Sequence, residues 1–110
     1  MMKLVKCIVR VLKADEVTDA LKAIDVSGLT VTEVRGRGRK RQTLVYRGVE
    51  QEARALPQTM IDIVVPDYLV DDVVRIVMDT AYTGQMGDGR IFVMPIDEAY
   101  TIRNRMGGFD

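Results

Sequence analysis

The sequence predicts an α+β fold in which two β-α-β halves share one antiparallel sheet. Three observations predict it. Several short segments rich in branched apolar residues read as strands. Two segments between them carry apolar residues at helical spacing. A long, basic, glycine-containing stretch then separates the first half from the second.

Residues 3–11 (Lys-Leu-Val-Lys-Cys-Ile-Val-Arg-Val) read as the first strand. Val17, Ala20, Leu21 and Ile24 follow at i, i+3, i+4 and i+7, the buried stripe of an amphipathic helix, with Asp15 and Glu16 at its positive end. Gly28 marks the turn into a second strand over 29–35. Residues 36–56 keep no steady period and read as a long loop; one of about 20 residues in a compact domain is usually functional or disordered. A third strand spans 59–65, introduced by Pro57. Pro66 and Asp67 open the second helix, with Asp67 as its cap and Val70, Val73, Val74, Val77 and Ala81 as its buried stripe. A glycine-rich turn over 83–89 leads to a fourth strand from Arg90 to Met94, and a polar tail over 96–110 closes the chain. The order is that of a ferredoxin-like β-α-β-β-α-β domain, one unit over 1–110, with helices on one sheet face. Leu4, Ile8, Ile61 and Ile63 alternate with neighbours that are often apolar too. Both faces are therefore expected to be covered, the second by self-association.

Composition narrows the chemistry. The 110 residues are 47% apolar, and 16 basic residues balance 16 acidic ones. There is no histidine and one cysteine, Cys7, so an internal disulfide, a usual zinc cluster and a Ser-His-Asp or Cys-His apparatus are all excluded. No apolar run reaches the roughly 20 residues of a membrane helix. A cytoplasmic, non-enzymatic protein without a metal site is expected.

Three features remain as candidates. Gly84, Gly87 and Gly89 stand just before Arg90, an arrangement that lets backbone N–H groups approach phosphate oxygens beside a cation; it also suits an ordinary helix-to-strand turn. Arg35, Arg37, Arg39, Lys40, Arg41 and Arg47 form a basic run with Gly36 and Gly38 interleaved. Such a run fits nucleic-acid phosphates, one polyphosphate ligand, or a solvated loop, with Tyr46 the only aromatic for stacking. Asp62 sits mid-strand in an apolar run, either on an exposed face or as an acceptor near a ligand or subunit contact. Cys7 reads as a small core residue, and Met60, Met78 and Met94 as packing.

In order and spacing these features resemble the PII signal-transduction family over nearly the whole chain. The carriers are Leu-Thr-Val-Thr-Glu-Val-Arg-Gly-Arg-Gly-Arg at 29–39, Tyr-Arg-Gly at 46–48, Leu-Pro at 56–57 and Ile-Asp-Ile-Val-Val-Pro-Asp at 61–67. Thr-Gly-Gln-Met-Gly-Asp-Gly-Arg-Ile-Phe-Val at 83–93 is the most specific, with Thr-Ile-Arg at 101–103 after it. The resemblance implies a homotrimer that binds ATP or ADP in clefts between subunits. By position, Gly87, Asp88, Gly89 and Arg90 would hold phosphates in a loop over about 83–90, helped by Arg39 and Arg103. Ile8, Gly28, Thr30, Gly36, Asp62 and Val64 would line the nucleotide, with Arg37, Gly38 and Thr101 beside it. The segment over about 36–56 corresponds to the family's T-loop, which docks on ammonium channels, nitrogenase or other metabolic proteins or transporters. Arg41, Tyr46, Arg47, Glu50 and Gln51 would meet the partner.

Departures from the family pattern carry information. The modifiable tyrosine of the T-loop tip is Gln51 here, and the serine that some relatives phosphorylate is Val49. A glutamine that usually helps hold magnesium and 2-oxoglutarate corresponds to Lys40, and a lysine that usually pairs with 2-oxoglutarate corresponds to Gln58. An ammonium group offers no oxygen to a metal. Magnesium-dependent 2-oxoglutarate binding is thus expected to be weakened, or replaced by another anion at Lys40 and Gln58. Thr101 stands where the family usually has arginine. Arg-Gly-Arg-Gly at 35–38 and Glu-Ala-Tyr-Thr-Ile-Arg at 98–103 resemble the nitrogenase-regulating branch. The alternative to a regulator is a ferredoxin-like domain that binds nucleic acid through the basic loop.

Overall fold

From Val5 to Val9 every second residue of the first strand is sealed from solvent, and that alternation sets the architecture. A computed structural model of the chain describes residues 1–26, 28–37, 42–46, 49–53 and 56–108, with the backbone alone described for 42–46 and 49–53. Strand β1 (Met2–Val9) buries Val5, Cys7 and Val9 completely or nearly so, and leaves Leu4, Lys6 and Ile8 half-buried. Side chains alternate across a sheet, so these two sets lie on opposite faces. Strand β5 (Leu56–Pro66) repeats the pattern: Thr59, Ile61, Ile63 and Val65 are buried, whereas Met60, Asp62 and Val64 are not.

The sheet runs in the order β2-β5-β1-β6, all pairs antiparallel, with β2 at Gly28–Gly36 and β6 at Gly89–Pro95. This is the ferredoxin-like arrangement expected from the sequence. Helix α1 (Ala14–Leu21) contributes Ala14, Val17 and Leu21 to the core, and α2 (Val70–Ala81) contributes Val73, Val77 and Ala81. Ile24, Val70 and Val74 pack against that core from partly buried positions. Twelve apolar residues form the buried cluster among the described residues, and all those on strands point to the helix side.

Several expectations need correction. Residues 36–56 are not one irregular loop: β3 (Gln42–Tyr46) and β4 (Val49–Ala53) pair as an antiparallel hairpin. Branched Thr43, Val45 and Val49 favour that pairing, although their short runs lack the alternation that marks a half-buried strand. Strand β1 stops at Val9, and a 3-10 turn over Val11–Lys13 precedes α1. Asp67 does not cap the second helix. It opens a 3-10 turn (Asp67–Leu69), and its carboxylate lies 3.5 Å from the N-terminal ammonium while its N–H donates to the Met1 carbonyl at 2.9 Å. Met78 is more than half exposed instead of packed. Within the tail, β7 (Tyr100–Thr101) and β8 (Met106–Gly107) form a small hairpin of their own.

Pro57 is tolerated inside β5 because β1 ends opposite Thr59, so only β2 pairs there. No helix among the described residues is long and apolar enough to cross a membrane.

Candidate functional site

The glycine turn is organised by one carboxylate. Helix α2 ends at Ala81, and Tyr82 turns to extended backbone while its N–H still reaches the Met78 carbonyl at 3.1 Å. Asp88 then closes the loop on itself. Its Oδ2 accepts the backbone N–H groups of Thr83 at 2.8 Å and Gly84 at 2.9 Å. Its Oδ1 accepts the Thr83 hydroxyl and, at 3.0 Å, Nε of Arg10. The Thr83 Oγ1 in turn accepts the Gln85 N–H at 3.1 Å. These bonds favour the ionised carboxylate, and the Thr83 hydroxyl foremost holds Asp88 well below the usual carboxylate range. Both carboxylate oxygens are thus engaged by the loop and by Arg10, and the Gln85 and Met86 side chains of the turn are exposed.

Three glycines make the backbone of this turn possible. Gly84, Gly87 and Gly89 have φ of +84°, +105° and +108°, a region that side chains rarely adopt. Gly89 opens β6 opposite Val9, and Arg90 follows opposite Ile8 with its side chain exposed. N–H groups of a glycine-rich turn beside an exposed guanidinium are groups of the kind that can hold an anion.

The other residues singled out from the sequence fall on the sheet face away from the helices. Register arranges them in rows. Gly28 pairs with Val64, which pairs with Leu4 and then Met94; Thr30 pairs with Asp62, then Lys6 and Phe92; Thr32 pairs with Met60, then Ile8 and Arg90. Ile8, Gly28, Thr30, Gly36, Asp62, Val64 and Arg90 therefore share one face. They do not converge within one chain: Gly28 and Thr30 lie on edge strand β2, and the glycine turn leads into the opposite edge strand, β6. Three strand spacings, about 14 Å, separate the two edges.

Asp62 has an ion-pair partner on this face. Its Oδ1 lies 3.7 Å from Lys6 Nζ, too far for a hydrogen bond, and has no hydrogen-bond partner among the described residues. Lys6 donates to the Met60 sulfur at 3.6 Å. Gln58 places its amide beside the Gly36 Cα, on the same face.

Arg37 follows β2 and is exposed. Thr101 lies in the small tail hairpin, where its hydroxyl reaches the Gly108 carbonyl at 3.4 Å, and Arg103 is exposed in the turn of that hairpin. Tyr46, Glu50 and Gln51 sit on the β3–β4 hairpin, paired with Val49, Val45 and Leu44. Gly38, Arg39, Lys40, Arg41 and Arg47 lie outside the described residues. Sequence reasoning placed Thr83 in the turn without a role for its side chain, and missed Arg10 as part of the loop. Arg10 is 78 positions from Asp88, and only the pairing of β1 with β6 brings the two together. Among the described residues no three His, Cys, Asp or Glu side chains cluster as a metal site.

A family model described as "Nitrogen regulatory protein P-II" matches residues 2–106. The chain belongs to the P-II family. This P-II chain is 50% identical over 103 residues to a nitrogen regulatory protein P-II of Rhizobium etli, covering 93% of this chain and 92% of that protein. It is 44% identical over 103 residues to the nitrogen regulatory protein GlnK of Escherichia coli K12, with the same coverage. It is 46% identical over 110 residues to nitrogen regulatory protein P-II 1 of that strain, covering 99% and 96%. As a P-II protein it is a signal-transduction regulator and not an enzyme.

Proposed function

We propose that this P-II chain is a nucleotide-responsive regulator, taking ATP or ADP between adjacent copies of itself and reporting the state of that site to a partner protein through residues 36–56. The observation that carries this reading is the split site. The loop suited to phosphate and the β2 residues suited to a nucleoside occupy opposite edges of one sheet face. Placing β2 of one copy beside the glycine turn of the next brings the two halves together without moving either strand.

The same face supplies a reason to assemble. Leu4, Ile8, Met60 and Val64 are half-buried there, and Phe92 and Met94 remain 44% and 36% exposed. Apolar surface on a short chain is stabilised by association at roughly 25 cal/mol per Å² buried. A closed ring of three copies covers all these faces and makes equivalent clefts. Arg90, with Arg39 and Arg103, would meet phosphate oxygens; Gly87 and Gly89 would present N–H groups; Thr30 and Val64 would contact the nucleoside.

Gly36 and Leu56, the last register pair of β2 and β5, form the neck of the β3–β4 hairpin. A ligand bound near Gly36 that prefers one hairpin arrangement shifts the population toward it by its difference in affinity. The partner then recognises that arrangement; an ammonium channel, nitrogenase and other metabolic proteins or transporters are the classes to test.

Calorimetric titration with ATP and with ADP tests the reading, followed by 2-oxoglutarate in the presence of ATP and magnesium. Micromolar nucleotide binding with a reduced 2-oxoglutarate response is expected, given Lys40 and Gln58. Absence of nucleotide binding would overturn the proposal.

A further inference from the structure

The geometry points to Arg10 as a positioning residue for the phosphate-binding loop, acting through Asp88 and not by contact with the ligand. This inference rests on the nucleotide reading above. Arg10 stands just beyond the end of β1, in extended backbone ahead of the 3-10 turn. From there its guanidinium spans the end of the glycine turn at two points. Nε donates to Asp88 Oδ1 at 3.0 Å, and Nη2 donates to the Met86 carbonyl at 2.9 Å.

Between these points lies Gly87. A Cβ placed on it would be 3.2–3.5 Å from the guanidinium atoms, so the planar group packs directly under that residue. Two bonds from one rigid fork fix both the position and the tilt of the backbone over 86–88. The consequence extends along the loop. Once Arg10 orients the Asp88 carboxylate, the other oxygen is aimed at the N–H groups of Thr83 and Gly84. Start and end of the turn are thereby held in one frame anchored on the sheet.

A lysine could supply charge at this position but not a two-point fork. Charge alone and positioning thus make different predictions for Arg10→Lys. A positioning role also predicts a loss that depends on phosphate, because in the proposed cleft the nucleoside end of the ligand would be met by β2 of the adjacent copy and not by the turn that Arg10 holds.

The experiment titrates the full-length wild type, Arg10→Met and Arg10→Lys with ATP, ADP and adenosine. The expected result is ATP binding weakened about tenfold to hundredfold in Arg10→Met, since a charge-assisted bond and a second hydrogen bond are lost. Arg10→Lys should recover less than half of that loss on a logarithmic scale, and adenosine affinity should stay within about twofold. Should Arg10→Met fail to fold, Arg10→Lys alone carries the comparison. Equal loss for adenosine and ATP would reduce Arg10 to general stability and overturn the inference. Full recovery in Arg10→Lys, or unchanged ATP binding in Arg10→Met, would overturn it as well. A wild type that binds no ATP would instead overturn the nucleotide reading, which separates the two failures.

Discussion

Gly89 lies so close over the backbone of Ile8 that a methyl group on its α-carbon would be 1.6 Å from the Ile8 carbonyl oxygen. Neither partner has room to yield, because both belong to paired strands. Gly89→Ala combines that clash with a φ of +108° and should destabilise the protein by about 3 kcal/mol or break the β1–β6 pairing locally. Denaturant melts measure it, and an unchanged midpoint would show that the strands separate more easily than their packing indicates.

Gly36 provides the contrast. A Cβ there would also collide, at 1.9 Å, but with the amide oxygen of Gln58, the free end of a flexible side chain. Gly36→Ala should cost less than about 1 kcal/mol because Gln58 can swing away. Its effect should appear in effector response instead, as a changed anion titration in the presence of ATP.

Burial pushes the Cys7 thiol up to about 12, from an ordinary 9.0, with the negative charge of Asp62 adding to the effect. Below pH 9 the thiol is protonated in both folded and unfolded chains and contributes no pH dependence. Between about 9 and 12 only the unfolded chain ionises, so stability falls as pH rises. The wild type should lose about 1 kcal/mol per pH unit in that window relative to Cys7→Ala, read from urea melts at successive pH values. Thiol reagents should label Cys7 only after denaturation.

Asp88 titrates in the opposite sense. Its folded-state pKa is depressed, so its contribution is present above the ordinary carboxylate range and disappears as pH falls through the lowered value. Hydrogen exchange at Thr83 and Gly84 should stay protected at pH 4 in the wild type. Asp88→Ala should expose both amides while leaving those of Val5 and Ile61 protected. Loss of protection across the sheet would mean that the carboxylate supports the fold and not the turn alone.

Leu4 tests the assembled state, for it lies on the apolar face between Val64 and Met94. With the proposed three-copy assembly, the wild type should sediment as three chains and Leu4→Glu as one, because an unpaired carboxylate would be buried at the contact. Persistence of the larger species would move the interface elsewhere.

The core was legible because it follows simple periods. Val17 and Leu21 repeat at helical spacing and are buried, and Ile61, Ile63 and Val65 repeat at strand spacing and are buried. The turn around Gly87 was legible as a place but not as a mechanism. That Asp88 binds Thr83 inside the loop follows from φ values of glycines, and that Arg10 joins them follows from strand pairing between distant segments. Neither leaves a local trace in sequence. The β3–β4 hairpin was missed because the sequences of its short strands do not alternate apolar with polar residues, and the Asp67 cap because the N-terminal ammonium offered that carboxylate another partner.

The chain leaves the sheet after Gly36 and re-enters it at Leu56, its register partner. Departure and return are side by side, so the intervening piece behaves as a cassette mounted on a socket that is complete without it. Chain-closure entropy grows only with the logarithm of length, and a change of a few residues alters it by tenths of a kcal/mol. Evolution can thus rewrite the cassette residue by residue, and shorten or lengthen it, while the socket keeps its geometry. Divergence among such chains should accumulate first where it disturbs the scaffold least.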